Sequence, residues 1–390
     1  MRIGILSPSI YMYQKLYSKR VYAPGKLAMD LADGLVEAGH EVFFFTAPDV
    51  PTKATIIPGD ASLLDGSFCL DYQQDLSPEL NEIVTLYETK KYYELGLTQQ
   101  AFLYAQQNNL DILHVYHAYG NMAHYFDALQ IVPTVYTLHV LPPPDNTLEF
   151  WRYKKFADQA FLAISKRQEE GFKNSFGTIN ISAVVYHGLD LEEYPFSATP
   201  ESYLAFIGRL VPEKGLDKAL SIIQKTGDIL KVATHINPVV EKSEYYQKSI
   251  LPLFKDSKSE MVGFLSGSEK ARFLGNAKAF LFPLQWEEPF GVVLIESLAV
   301  GTPVIAYRRG SVPEIITNGE TGYLVDPAKG EEGMIEAIQK LHSLSKEEYF
   351  AMRKRCREVA EKRFSIEVMV KEHEAVYQKL IARHNKRYFA

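Results

Sequence analysis

Ala279-Phe280-Leu281-Phe282-Pro283-Leu284-Gln285-Trp286-Glu287-Glu288-Pro289-Phe290-Gly291-Val292-Val293-Leu294-Ile295-Glu296-Ser297-Leu298-Ala299-Val300-Gly301-Thr302-Pro303-Val304-Ile305-Ala306 reads as strand, loop, helix and strand. Ala279–Phe282 and Val304–Ala306 are short, continuous apolar runs, the pattern of strands buried on both faces. The helix after Phe290 is almost entirely apolar, so it is buried as well. Strand, buried helix and strand in that order argue for a parallel sheet covered by helices.

The same alternation extends in both directions. Strands are predicted upstream at Tyr203–Ile207, Leu230–Ala233 and Met261–Val262, and downstream at Tyr323–Val325, with helices after Pro212, Val239 and Ser268. An earlier set has strands at Arg2–Leu6, Glu41–Thr46, Ile112–Tyr116, Thr134–Leu138, Phe161–Ile164 and Ala183–Tyr186, with a helix from Lys26 to Ala38 stopped by Gly39-His40. The stretch from Pro48 to Asn81 carries no clear period. Pro195, Ser197, Pro200 and Ser202 give Glu193–Ser202 the texture of a linker, and the chain from Lys346 onward is helical and highly charged. The expectation is an α/β protein of two tandem doubly wound, Rossmann-like domains facing a cleft, which is where open α/β sheets bind ligands.

Composition is consistent with this. A chain of 390 residues, 46% hydrophobic and 23% charged, is long enough for two globular domains. A net charge of −6 gives no overall drive toward nucleic acid, and no nucleic-acid partner is expected. Cys69 and Cys356 are isolated, which suits a reducing compartment and offers no zinc site. The apolar run before Pro8 is short for a signal peptide, and no segment reaches the ~20 apolar residues of a membrane span. A cytoplasmic protein is expected, with at most weak peripheral contact at the inner membrane face. In the loop with Tyr11, Tyr13, Tyr17, Tyr22, Lys15, Lys19 and Arg20 the rings could stack on an acceptor sugar and the cations meet an anionic acceptor or lipid headgroup, and the tail with Arg383, Lys386 and Arg387 could touch membrane. A general abundance of tyrosine and a solvated helix face explain them equally well.

Candidate chemistry lies at strand ends. Arg209 and Lys214 fall between a predicted strand end and a helix N-terminus. A guanidinium fork, an ammonium and the positive end of a helix together suit a diphosphate; solvated loop cations are the ordinary alternative. Glu296 stands alone in an apolar helix, and a buried carboxylate without partners costs several kcal/mol. A ribose diol would satisfy it, and so would a salt bridge to a neighbouring Lys or Arg. Glu288 could hold sugar hydroxyls beside Gly291, or simply place a favourable charge at a helix start. His139 ends a strand and could contact a donor or acceptor sugar, or merely cap that strand. Gly25 could turn its amide to a phosphate or serve as a helix-entry turn. Ser311 and Glu314 have capping-box spacing.

Glu288 and Glu296, in Glu-Pro-Phe-Gly-Val-Val-Leu-Ile-Glu, resemble the Glu-x7-Glu signature of retaining glycosyltransferases. Gly208-Arg209-Leu210, Glu213-Lys214-Gly215, Gly301-Thr302-Pro303, Gly310-Ser311-Val312-Pro313-Glu314 and Gly319-Glu320-Thr321-Gly322 fit the same pattern. The ensemble is similar to glycosyltransferase family 4, which has the GT-B fold; the first domain matches more loosely, through Arg2–Leu6, Gly25, Ala38-Gly39-His40-Glu41-Val42, His139 and Gly188-Leu189-Asp190.

The resemblance implies an acceptor-side domain over 1–195, a nucleotide-sugar donor domain over 196–365 and a helix over 366–390 that crosses back to the first. It implies that Arg209 and Lys214 hold the donor diphosphate, Glu296 the ribose and Glu288 the sugar, with His139 near the transferred sugar. Backbone amides at Phe290, Gly291 and Val292 would contact sugar and phosphate. No metal or other cofactor is implied, and no strict Asp-x-Asp pair is present. The expected activity is retaining transfer of a hexose from a nucleotide-sugar, a UDP-sugar by preference, to a sugar, lipid-linked or small-molecule acceptor. A GDP-mannose-dependent mannosyltransferase, a nucleotide-sugar epimerase and a non-catalytic nucleotide-sugar-binding protein are the alternatives. The sequence departs from the family pattern at Pro24-Gly25, where two glycines are common, in Val232–Asn237, which lacks a glycine, and at His187, where Asn is usual.

Overall fold

The computed structural model describes residues 1–13, 22–64, 78–116, 122–255 and 257–388, with side chains described outside 78–84, 86, 387 and 388. Lys15, Tyr17, Lys19, Arg20, Cys69 and the side chain of Arg387 lie outside what is described.

The first domain holds β1 (Arg2–Leu6), β2 (Glu41–Thr46), β3 (Thr55–Pro58), β4 (Ile112–Val115), β5 (Thr134–Thr137), β6 (Ala160–Ala163) and β7 (Ile181–Val184). They form one sheet in the order β3-β2-β1-β4-β5-β6-β7. The second holds β8 (Tyr203–Ile207), β9 (Ile229–Ala233), β10 (Ser259–Gly263), β11 (Ala279–Phe282), β12 (Val304–Tyr307) and β13 (Gly322–Val325), ordered β10-β9-β8-β11-β12-β13. Neighbouring strands pair in parallel throughout. These are two Rossmann-like domains, each built on a doubly wound parallel sheet. In each, strand order reverses once, between β1 and β4 and between β8 and β11, and that reversal opens a crevice at the carboxyl ends of the two strands.

Packing explains why the apolar runs were legible. Leu204, Phe206, Leu230, Val232, Leu281 and Ile305 are at most 1% exposed. On one face of their sheet they meet Leu216, Ala219, Leu220 and Ile223 of the helix Leu216–Thr226. In the first domain Phe43, Phe45, Leu113 and Val115 pack with Tyr93, Leu97, Ala101 and Phe102 of the helix Pro78–Gln107. β3 was not predicted. It lies at the sheet edge, beside β2 only, and none of its residues is fully buried, so it carries no continuous apolar run.

The chain divides into Met1–Ile164, Glu169–Val185 and Met369–Ala390 on one side, and Ser165–Gln168 and Tyr186–Val368 on the other. The segment read as a linker is therefore part of the second domain. Its backbone is tied down there: Ser197 N donates to Val300 O and Glu201 N to Asn276 O, at 3.0 and 2.7 Å. In the first domain, Glu374 and Tyr377 of the helix Ile366–Tyr388 bond His40 and His114, each at 2.6 Å.

Candidate functional site

The loops that follow β8 and β11 leave the second sheet at its switch point, and they are packed backbone to backbone. Gly215 closes the turn Pro212–Lys214 with a φ of 72°, and a Cβ there would lie 2.1 Å from Pro283 O. Gln285 N donates to Glu213 O at 2.9 Å. This contact brings Lys214 to Glu288: Nζ donates to Oε2 at 2.6 Å, with the side chains 16% and 10% exposed. Trp286 Nε1 donates to the same oxygen at 3.1 Å. The ammonium also lies 5.1 Å from the centre of the Trp286 ring and 5.9 Å from that of Phe282. Arg209 is on the same loop as Lys214, exposed, and paired with no carboxylate among the described residues.

Gly291, at a φ of 83°, is the N-cap of the helix Val292–Ala299. No acceptor inside that helix exists for the amides of its first turn. Phe290 is 2% exposed, and its ring meets that of His187 edge-on at 5.0 Å. A turn at Gly310-Ser311 clamps this segment: Ser311 N donates to Glu288 O at 3.0 Å and Ser311 Oγ to Phe290 O at 2.7 Å. Gly310 has a φ of 53°, and a Cβ there would lie 2.3 Å from Glu288 O.

The capping box expected at Ser311 and Glu314 is not formed. Ser311 Oγ is engaged by Phe290 O and makes no cap bond. Glu314 instead accepts from the amides of Lys166 and Arg167, both at 2.8 Å, and from Tyr186 Oη at 2.9 Å.

Glu296 is 5% exposed in its helix. Lys270 Nζ donates to its Oε1 at 2.5 Å and Tyr194 Oη to the same oxygen at 3.0 Å. A salt bridge therefore supports this carboxylate, and it engages one of the two oxygens.

The first domain carries the other two residues singled out from the sequence. His139 follows β5, is half-buried, and its ring centre is 4.9 Å from that of Tyr116. Gly25 lies in the first turn of the helix Ala23–Glu37, and its amide donates to Tyr22 O at 3.0 Å. A phosphate could take that amide only by displacing Tyr22 O. A Cβ at Gly25 would lie 2.0 Å from Met12 Sδ, which gives the glycine a packing reason of its own.

Sequence reasoning did not single out Trp286, Lys270 or Tyr194. Trp286 is two residues from Glu288 and could have been found by proximity. Lys270 and Tyr194 reach Glu296 across 26 and 102 residues and leave no local signal. Among the described residues, no three His, Cys, Asp or Glu side chains are gathered to hold a metal ion. No described helix is long and apolar enough to cross a membrane.

Two family models match the chain. "Glycosyltransferase Family 4" covers residues 25–193 and "Glycosyl transferases group 1" covers 192–363. N-acetyl-alpha-D-glucosaminyl L-malate synthase of Bacillus anthracis is 26% identical over 379 residues, covering 90% of this chain and 93% of that one. Among solved structures, sucrose-phosphate synthase from Thermosynechococcus elongatus superposes with a TM-score of 0.70 at 18% identity, over 98% of this chain and 100% of that chain. Anabaena Alr3699/HepE, solved in complex with UDP and glucose, gives a TM-score of 0.70 at 16% identity, over 97% and 100%.

Proposed function

The chain belongs to glycosyltransferase family 4 and has the GT-B fold, and on that premise we propose that it transfers a hexose from a UDP-sugar to a sugar or other small-molecule acceptor, with retention at the anomeric carbon and without a metal ion. The observation that carries this reading is the 2.6 Å contact of Lys214 with Glu288 at the switch point of the second sheet. A cation able to hold a diphosphate thus stands beside a carboxylate able to hold sugar hydroxyls, which supports this reading. Arg209, on the same loop and without a carboxylate partner among the described residues, supplies the second cation. The UDP in HepE, on the same fold, supports the choice of base.

Arg209 and Lys214 bind the diphosphate and stabilise the charge that builds on it as the bond from the anomeric carbon to the phosphate oxygen breaks. The open amides of Gly291 and Val292, at a helix N-terminus, add to this. Glu288 accepts from hydroxyls of the transferred sugar. The acceptor oxygen bonds the anomeric carbon on the face the diphosphate leaves, and the acceptor proton passes to a diphosphate oxygen. No enzymic nucleophile is needed.

The test is an assay in EDTA with UDP-glucose, UDP-galactose and GDP-mannose against a panel of sugar acceptors, with the product anomer read by NMR. UDP release with retained configuration is expected. An inverted product, a need for divalent metal, or use of GDP-mannose alone overturns the proposal.

A further inference from the structure

Glu296 has acceptor capacity that the protein fills on one side only. A carboxylate has about four acceptor sites, two on each oxygen. Both described donors, Lys270 Nζ and Tyr194 Oη, fall on Oε1 and fill it. Oε2 accepts from no described group, yet it is not among the side-chain atoms sealed from solvent without a partner. The side chain as a whole is 6% exposed, and that of Lys270 is 23% exposed. Glu296 is thus a buried carboxylate with one oxygen saturated by protein and the other facing accessible space.

We propose that Lys270 and Tyr194 are positioning residues that saturate Oε1 of Glu296 and so present the two open acceptor sites of Oε2 to the two hydroxyls of the donor's ribose. The proposal rests on the reading of Glu296 as the ribose ligand. Lys270 is on the helix Gly267–Asn276, which follows β10, and Tyr194 follows the turn Leu191–Glu193. The two donors approach from separate elements, so together they fix the rotation of the carboxylate about its last torsion, which is otherwise broad. A hydroxyl pair then meets a fixed oxygen, and less ordering is left to be done on binding. Neither residue touches the ribose in this account.

The experiment is a mutant cycle in which the second change is made in the ligand. Binding of UDP and GDP, each beside its 2′-deoxy counterpart, is measured calorimetrically for wild type, Lys270→Met, Lys270→Arg, Tyr194→Phe and Glu296→Gln. Wild type is expected to prefer the ribonucleotide by about tenfold, as for loss of one charge-assisted hydrogen bond. Lys270→Met and Tyr194→Phe are expected to weaken the ribonucleotide more than the deoxynucleotide, which keeps only its 3′-hydroxyl on Oε2, so the preference shrinks. Lys270→Arg should keep most of it. In turnover, Lys270→Met should raise KM for the nucleotide-sugar with kcat largely kept.

Equal weakening of both nucleotides by Lys270→Met would mean a merely structural role and overturn the proposal, as would no weakening of either. If Glu296→Gln removes the preference and Lys270→Met does not, the positioning role alone fails. If Glu296→Gln leaves the preference intact, or wild type binds neither ribonucleotide, the ribose reading of Glu296 fails and this proposal falls with it. Thermal unfolding of each variant separates a folding defect from these outcomes.

Discussion

Lys214 and Glu288 are 74 residues apart in the chain, and their charged groups meet at 2.6 Å. The contact joins two loops that share only their position at the switch point of one sheet. It also makes phosphate binding and sugar binding interdependent in the proposed reaction. A diphosphate that draws the ammonium away leaves Glu288 with the Trp286 indole N–H and room for sugar hydroxyls.

The two cations should separate under mutation. Arg209 is exposed and has no carboxylate partner among the described residues. Arg209→Ala should therefore change stability by less than about 0.5 kcal/mol. It should still lower kcat/KM by about 10²–10³, the usual cost of losing one donor to transition-state charge. Lys214→Ala should lose activity to a similar degree and also lower stability by about 2 kcal/mol, because it leaves a mostly buried carboxylate without its cation. Thermal unfolding beside steady-state kinetics checks both.

Gly310→Ala should damage the site through Glu288. Its φ of 53° disfavours a side chain, and the new Cβ would press on Glu288 O at 2.3 Å. Gly319 has a φ of 82°, and a Cβ there would meet nothing within 4 Å, so Gly319→Ala carries the backbone strain alone. Gly310→Ala is expected to lose at least tenfold more kcat/KM than Gly319→Ala, a gap of about 1.4 kcal/mol or more.

Arg353 should be among the costliest residues of the second domain to remove. It is fully buried, and its guanidinium donates to Ser197 O, Ala277 O, Gly275 O and Tyr349 Oη at 2.8–3.1 Å. Arg353→Met strands three carbonyls and should cost about 3–5 kcal/mol. For a domain of this size that is roughly a ten-degree fall in Tm, read by calorimetry.

The first domain should weaken in acid. Burial pushes His373 down to about 4 and holds His114 well below the ordinary histidine range, with His373 and His139 adding to the effect on His114. For His373 the folded value lies below the unfolded one, near 6.5. The native state therefore binds fewer protons between the two. Its stability contribution is complete above about 6.5 and is lost as pH falls toward 4, on the order of 3 kcal/mol. Asp127, raised by burial to about 7, contributes the opposite slope. The difference between wild type and His373→Gln in denaturant titrations at several pH values isolates the histidine; the variant should show the shallower acid limb.

The core strands were legible because burial on both sheet faces leaves unbroken apolar runs such as Phe280-Leu281-Phe282. β3 escaped because an edge strand needs no such run. Pro195 and Pro200 gave 193–202 the look of a linker, yet Ser197 and Glu201 spend their amides on Val300 O and Asn276 O; composition does not reveal where a backbone bonds. Arg209, Lys214 and Glu288 could be singled out because each follows a clear strand. Arg353 could not, since within Arg353-Lys354-Arg355-Cys356-Arg357 it reads as one more solvated cation. Lys270 and Tyr194 gain their meaning only from the fold that brings them to Glu296.

The most direct test of the central claim is the thermal shift of the purified protein with UDP in EDTA, for wild type and Glu296→Ala. UDP at 100 times its dissociation constant should stabilise wild type by about 2.7 kcal/mol, and Glu296→Ala should abolish most of that shift. No shift in wild type, or an equal shift in both proteins, would contradict the account.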